Sequence, residues 1–288
     1  MNPRRLVLPL VAAAVLAAAV APAALAELVL PRVSPKATLT QSIGVTDLTV
    51  SYSRPGVKGR VIWGELVPYD TPWRTGANEA TTFTTTDEIT VAGQKLAAGS
   101  YSFFTIPTAG AWTAIFSKQK DLWGAYEYDP AQDALRVTVT PTPAEPVEWL
   151  RFTFDNLTPG SADLVLRWEK LQLTLPIAVD VNGIVLPKAR AEVAAAKADD
   201  WRTPYRAASF CFDSGVNLEE GAQWLEKSLA IQPAYSNQNL KARWLAKDGK
   251  TKEAIAVGQK AIAAGKAAQP PADTSALEKL VAEWGGKK

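Results

Sequence analysis

The stretch ADLVLRWEKLQLTLPI, residues 162–177, decides the fold class of the first half of the chain. Apolar and polar side chains alternate through it, and this period of two is typical of strands that bury one face. Short runs with the same alternation recur from residue 36 to 177, separated by Gly, Pro, Asn and Asp. The predicted strands are 38–43, 48–53, 81–86, 89–91, 100–106, 111–116, 135–140, 148–154, 162–168 and 171–177.

Many short strands with turn residues between them favour an antiparallel β-sandwich, of jelly-roll or immunoglobulin-like type, over a parallel βαβ sheet. Helical periodicity of useful length does not interrupt them. We therefore predict a β-sandwich domain over residues 34–178.

The pattern changes after residue 188, where Ala-rich segments repeat apolar residues with the 3.6-residue period of helices. Asn217 and Asp273 are placed to cap two of these helices. We predict a linker at 179–187 and a small all-α domain over 188–286. The predicted helices are 189–198, 204–213, 218–231, 237–247, 251–264 and 274–284.

The helical part contains an internal repeat. EGAQWLEKSLAIQP, residues 220–233, resembles the second helix of a tetratricopeptide repeat, with Gly221 and Ser228 at small-residue positions and Pro233 at the end. EAIAVGQKAI, residues 253–262, repeats the pattern 33 residues later, close to the period of about 34. Since such repeats need about three units to bury a core, we expect these helices to contact the β domain or a protein partner. An unrelated helical hairpin is the alternative.

Composition excludes several classes of catalytic site. The 288 residues include no histidine, one cysteine (Cys211) and one methionine (Met1). A Ser-His-Asp triad, a His-ligated metal site and a disulfide within the chain are therefore excluded. We expect no cofactor, no metal and no catalytic residues, and we expect Cys211, between two phenylalanines, to be a buried core residue.

The first 26 residues have the pattern of a signal peptide. Arg4 and Arg5 precede an apolar run over 6–20, and Ala24-Leu25-Ala26 is a small-x-small cleavage site before Glu27. We therefore expect export to the periplasm or the medium, with no membrane span after cleavage. Cleavage removes two of the 31 Lys and Arg residues and none of the 29 Asp and Glu residues. A near-neutral mature chain does not indicate a nucleic-acid partner.

Two stretches carry residues that are unexpected for plain strands, and the first is YSRPGVKGRVIWG, residues 52–64. Its three cations, Arg54, Lys58 and Arg60, lie within seven residues on a Gly/Pro loop. Guanidinium groups and outward-pointing backbone N–H groups of such a loop can hold a carboxylate, sulfate or phosphate. A solvated basic hairpin is the alternative.

The second stretch is LVPYDTPWRTGANEA, residues 66–80. Trp73 supplies a stacking face, Arg74 a planar fork of donors, and Asn78 and Glu79 groups that orient hydroxyls or amines. These residue types suit a sugar or an anionic ligand. The structural alternative is that Arg74 and Glu79 pair with each other or with the basic loop and so fix a long crossover.

These stretches resemble the bacterial family catalogued as domain of unknown function 2911. The likeness runs from about residue 34 to 177 and also covers strings outside the two stretches: SPKAT (34–38), AGSYS (98–102), WG (123–124), YD (128–129) and LRWE (166–169). WRTGANEAT, residues 73–81, is the most specific string. The resemblance implies a fold unit and an exported protein, in several members followed by tetratricopeptide-like helices. It implies no reaction.

The sequence favours a non-catalytic binding protein of the bacterial envelope over an enzyme. The predicted ligand is a small anionic or carbohydrate molecule, and the helices would contact a protein partner. The predicted ligand-binding residues are Arg54, Lys58, Arg60, Trp73, Arg74, Asn78 and Glu79. The alternative function is a histidine-independent, glycosidase-like hydrolase with Glu79 as one of two carboxylates. A structural envelope module without a small ligand is the third hypothesis.

Overall fold

The structure, a computed structural model, describes residues 30–286. The predicted signal peptide, residues 1–26, lies outside the described residues. From Ser34 onward the described chain forms one compact unit. It consists of ten strands followed by six helices within the described range, which confirms the predicted order of a β region and a helical region.

The strands form two antiparallel sheets. One has six strands in the order β1-β2-β3-β6-β7-β8, and the other has four in the order β5-β4-β10-β9. The bounds of the first sheet are β1 Lys36–Ile43, β2 Thr46–Ser53, β3 Thr81–Thr85, β6 Gly99–Ile106, β7 Trp112–Ser117 and β8 Asp133–Val139. Those of the second are β4 Ile89–Val91, β5 Gln94–Leu96, β9 Thr142–Asp155 and β10 Ser161–Ala178.

The two sheets share one hydrophobic core, as expected for a sandwich. Phe83 and Phe116 from the first sheet and Leu164 and Leu175 from the second are at most 1% exposed. The alternation seen in the sequence accounts for this core, because every second side chain of a strand points to the same face. Strands β6 and β7 also bury Phe104 and Ile115, which belong to a separate, smaller cluster.

Residues 162–177 form one strand rather than the two predicted. Apart from Val165, buried side chains occupy even positions up to Trp168 and odd positions from Leu173 onward. The strand corrects this change of phase with bulges around Glu169, which adopts a positive φ of 54°. A bulge inserts one residue without ending the pairing, so the change of phase in the sequence indicated a bulge and not a turn.

The helices are α1 Val181–Ala195, α2 Arg202–Ser214, α3 Leu218–Ile231, α4 Tyr235–Lys247, α5 Thr251–Ala267 and α6 Ser275–Gly286. The prediction of a linker at 179–187 is wrong, because α1 begins at Val181 and contains Pro187. The side chain of Asp180 accepts a hydrogen bond from the N–H of Gly183 at 2.9 Å and so caps the helix. Packing of the apolar face outweighs the helix-breaking tendency of an exposed proline.

Helices α2 and α3 pack as one hairpin and α4 and α5 as another, as the repeat predicts. Cys211 is fully buried between them as predicted. Ser228 Oγ, also buried, donates to the carbonyl of Trp201 at 2.8 Å and accepts from Asn237 Nδ2 at 2.9 Å. This pair of hydrogen bonds connects α3 to α4 and to the start of α2.

Candidate functional site

A cleft of about 230 Å³ opens on the β region, where the starts of β1 and β3, the end of β2 and the β7–β8 connection meet. Its walls combine a cation, two carboxylates, hydroxyl groups and an indole ring. The residues that line it are Lys36, Ser51, Tyr52, Ser53, Glu79, Ala80, Thr82, Asp121, Leu122 and Trp123.

The wall on the β7–β8 side is built by backbone pairing. The N–H of Ala80 donates to the carbonyl of Leu122 at 2.9 Å, and the N–H of Gly124 donates to the carbonyl of Asn78 at 3.3 Å. These bonds flank an antiparallel bridge between Glu79 and Trp123. Glu79 and Trp123 are therefore held side by side at the cleft by main-chain geometry.

The loop that carries Trp123 adopts backbone conformations that favour glycine. Asp121 has a φ of 57° and Gly124 a φ of 77°. A Cβ on Gly124 would lie 2.7 Å from the ring of Tyr126, so only glycine fits there without displacing that ring. As a result, the side chain of Trp123 is 61% exposed at the cleft wall and Tyr126 is 87% exposed beside it.

The cleft walls can make directional contacts on several sides. Lys36 is a donor, Glu79 and Asp121 are acceptors, and the hydroxyls of Ser51 and Thr82 can do either. The Trp123 indole adds an apolar face with one N–H donor. Small-molecule sites commonly join an apolar surface to a few convergent polar groups in this way.

The predicted basic loop binds to the second sheet instead of facing the cleft. Arg54 Nε donates to the carbonyl of Leu150 at 2.9 Å, and the N–H of Lys58 donates to Glu148 Oε1 at 2.9 Å. Arg60 Nη2 donates to the carbonyl of Gly56 at 2.6 Å and so closes its own loop. The side chains of Arg54 and Arg60 thus already have hydrogen-bond partners within the protein.

Trp73 belongs to a cluster of four tryptophans in the sandwich core. Its ring stacks on Trp168 with the centroids 5.8 Å apart and meets Trp63 edge-on at 5.9 Å. Its Nε1 donates to the carbonyl of Gly76 at 3.1 Å. In this structure, the ring predicted to stack on a ligand stacks on another side chain of the protein.

Asn78 and Arg74 both contact neighbouring segments of chain. Asn78, with a φ of 60°, donates from Nδ2 to the carbonyl of Ser34 at 3.2 Å. Arg74 is half-buried, and burial lowers the pKa of its guanidinium, an effect partly offset by Tyr126. Within the described residues Arg74 forms no ion pair, so the predicted pairing with Glu79 is not what fixes this crossover.

Comparison with known proteins identifies the β region. The family model described as "Protein of unknown function (DUF2911)" matches residues 34–177. The chain belongs to this family. No curated protein and no solved structure shows significant similarity to the chain.

All ten residues of the cleft lie inside the part that matches DUF2911, whereas the six helices lie beyond it. Of the seven residues predicted to bind a ligand, Glu79 is the one that the described structure places in the cleft wall. Lys36, Asp121 and Trp123 were not predicted. The resemblance to the family could have indicated two of them, since Lys36 lies in SPKAT (34–38) and Trp123 in WG (123–124), both strings on which the resemblance rests.

Across residues 30–286, no group of three or more His, Cys, Asp and Glu side chains is placed to hold a metal ion. None of the helices described in this range combines the length and apolar composition needed to cross a bilayer.

Proposed function

We propose that this DUF2911 protein is an exported, non-catalytic binding protein that holds a sugar-like ligand in the cleft beside Trp123. The observation that carries the proposal is the exposed Trp123 ring at the wall of a cleft lined with hydroxyl, carboxylate and ammonium groups. An aromatic face suits the apolar face of a sugar ring, while the polar groups can bind its hydroxyls.

The size of the cleft limits the ligand. Its volume of about 230 Å³ is smaller than the cavities of roughly 300–1,000 Å³ that hold drug-sized ligands. A single sugar ring, alone or at the end of a longer glycan, fits this scale. The proposed export rests on the signal-peptide pattern of residues 1–26, and a protein partner for the helices stays a prediction.

The test uses the mature chain starting at Glu27 and a panel of envelope sugars, with affinity measured by calorimetry. Trp123→Ala should weaken binding by at least about tenfold, or about 1.4 kcal/mol, because it removes the stacking face. Trp149→Ala is the matched control: that ring is 38% exposed but lies outside the cleft wall. Equal affinity of wild type and Trp123→Ala for every sugar that binds, or no binding to any sugar, would overturn the proposal.

One observation favours a second candidate, a glycosidase-like hydrolase: Glu79 and Asp121 line the same cleft. Glycoside hydrolysis uses two carboxyl groups on opposite sides of the scissile bond. The same incubations therefore include a measurement of released reducing sugar. Hydrolysis that Glu79→Gln and Asp121→Asn both abolish would establish this candidate, whereas binding without turnover supports the non-catalytic function.

A further inference from the structure

Arg74 carries a half-buried guanidinium that has no counterion among the described residues. It makes no ion pair and donates no side-chain hydrogen bond within residues 30–286, and its Nε is fully buried. Arg54 and Arg167, by contrast, donate to a carbonyl and to side-chain oxygens. Desolvating a charge without a partner is costly, so an arginine held in this state requires a reason.

The guanidinium of Arg74 lies beside the backbone of Gly124 and near the ring of Tyr126. A Cβ on Gly124 would lie 3.4 Å from Arg74 Nη1 and 2.7 Å from the Tyr126 ring. Because residue 124 has no side chain, the guanidinium and the exposed Tyr126 ring flank the same short piece of backbone. An oxyanion that reached this position could accept hydrogen bonds from the fork of the guanidinium.

This position is next to the cleft. Trp123, whose ring lines the cleft, directly precedes Gly124. The carbonyl of Arg74 accepts a hydrogen bond from the N–H of Thr81 at 3.2 Å. Thr81 lies between two cleft residues, Ala80 and Thr82. Inside the cleft the one cation, Lys36, shares the wall with two carboxyl groups, those of Glu79 and Asp121, so the cleft itself offers an anion no excess of positive charge. An acidic group on a bound sugar is therefore better accommodated on the Arg74 side of Trp123.

We propose that Arg74 binds the acidic substituent, a carboxylate or a sulfate, of a sugar whose ring lies in the cleft against Trp123. The preferred ligands would then be uronic acids or sulfated sugars and the glycans that contain them. This inference rests on the proposed function, since it assigns the chemical class of the ligand of that site.

The experiment compares methyl glucuronide, glucose 6-sulfate and methyl glucoside, which differ in the acidic group. Wild type should bind at least one of the acids about tenfold more tightly than the neutral sugar, and the better acid distinguishes carboxylate from sulfate. Arg74→Gln should remove this preference and leave methyl glucoside binding unchanged. Lys260→Gln, on the exposed face of α5, is the control for loss of one positive charge.

The unfolding transition separates a binding role from a structural one. Since the Arg74 guanidinium has no ion pair or hydrogen bond to lose within residues 30–286, Arg74→Gln should change the free energy of unfolding little, whereas an arginine with such partners would show a clear loss. Arg74→Lys should retain part of the preference, because it keeps the charge but not the fork.

Failure of this inference differs from failure of the proposed function. Equal binding of acidic and neutral sugars by wild type, or an unchanged preference in Arg74→Gln, overturns the inference while the effect of Trp123→Ala still supports a sugar site. If no sugar binds, sulfate is titrated at constant ionic strength and thermal unfolding is followed. If sulfate stabilises wild type but not Arg74→Gln, the protein has an anion site at Arg74 but no sugar site. If sulfate does not stabilise wild type, both proposals are overturned.

Discussion

At Gly221, helix α3 passes so close to its neighbours that a Cβ would lie 2.6 Å from Cys211 Cβ and 3.0 Å from the Trp244 ring. Both neighbours are buried, so neither can move aside without cost. We expect Gly221→Val to lower the free energy of unfolding by about 2 kcal/mol, the usual cost of overpacking a core. Urea denaturation measures this change.

Gly285 in α6 provides the comparison, since a Cβ there meets nothing within 4 Å. Gly285→Val should stay within about 0.5 kcal/mol of wild type. Similar effects at both positions would show that helix propensity, and not the close approach of α3 to α2, determines the result.

At the scale of the element, a partly buried hydrogen bond of Tyr128 helps to hold the connection between β7 and β8. Tyr128 Oη donates to Asp133 Oδ2 at 2.7 Å, and Gln119 holds the same connection by donating to the carbonyl of Glu127 at 2.9 Å. Burial, followed by the hydrogen bond to Asp133, raises the pKa of Tyr128 above its ordinary value. Burial also raises the pKa of Asp133. The folded loop that displays Trp123 therefore favours the protonated phenol.

This shift gives the stability of the protein a pH dependence. A raised folded pKa means that the contribution of Tyr128 is complete below its unfolded pKa of about 10 and is lost as pH rises through the folded pKa. Tyr128→Phe cannot titrate, so its free energy of unfolding should fall less above pH 10 than that of wild type. The difference is at most about 1.4 kcal/mol per pH unit and smaller where solvent screens the loop.

Chemical denaturation at a series of pH values between about 8 and 11 measures the two slopes. Tyr126→Phe is the matched control, because Tyr126 is 87% exposed, and it should follow wild type. Parallel curves for wild type and Tyr128→Phe would contradict the assignment of the shifted phenol.

Most elements could be predicted from the sequence because local periodicity determines which face of each is buried. Helix α3 was predicted with its observed bounds of 218 and 231. Strand β5, Gln94–Leu96, was missed because it contains a single apolar residue and therefore shows no alternation, unlike the equally short β4. The first half of helix α1 was missed because Pro187 indicates a break, whereas the contacts that stabilise this part of the helix come from distant parts of the chain.

The candidate site was harder to predict because it depends on pairing between segments that are far apart in the sequence. Glu79 and Trp123 are 44 positions apart and meet only because segments 78–80 and 122–124 pair. The predicted residues were instead chosen because they are close in sequence. In the folded chain Trp73 lies in the core, Arg54 contacts β9 and Glu79 lines the cleft. Residue type indicates what a side chain can bind but not which surface it reaches.

Helix α1 belongs to both hydrophobic cores. Val181 and Ile184 pack against the sandwich core, whereas Leu186 and Ala189 pack against the core of α2–α4. Lys188 adds an ion pair with Asp87 at 3.4 Å. Because one rigid helix connects the two cores, we expect the β region and the helices to unfold in one cooperative transition.

Hydrogen exchange with mass spectrometry at increasing urea concentration follows both regions separately, through peptides from β6 and α3. Ile184→Ala, on the sandwich side of α1, and Leu186→Ala, on the helical side, should each lower the opening free energy of both peptides by about 1 to 2 kcal/mol. A loss in β6 peptides alone for Ile184→Ala, and in α3 peptides alone for Leu186→Ala, would show that the two regions fold independently. Helix α1 would then be a connection without energetic coupling between the two regions.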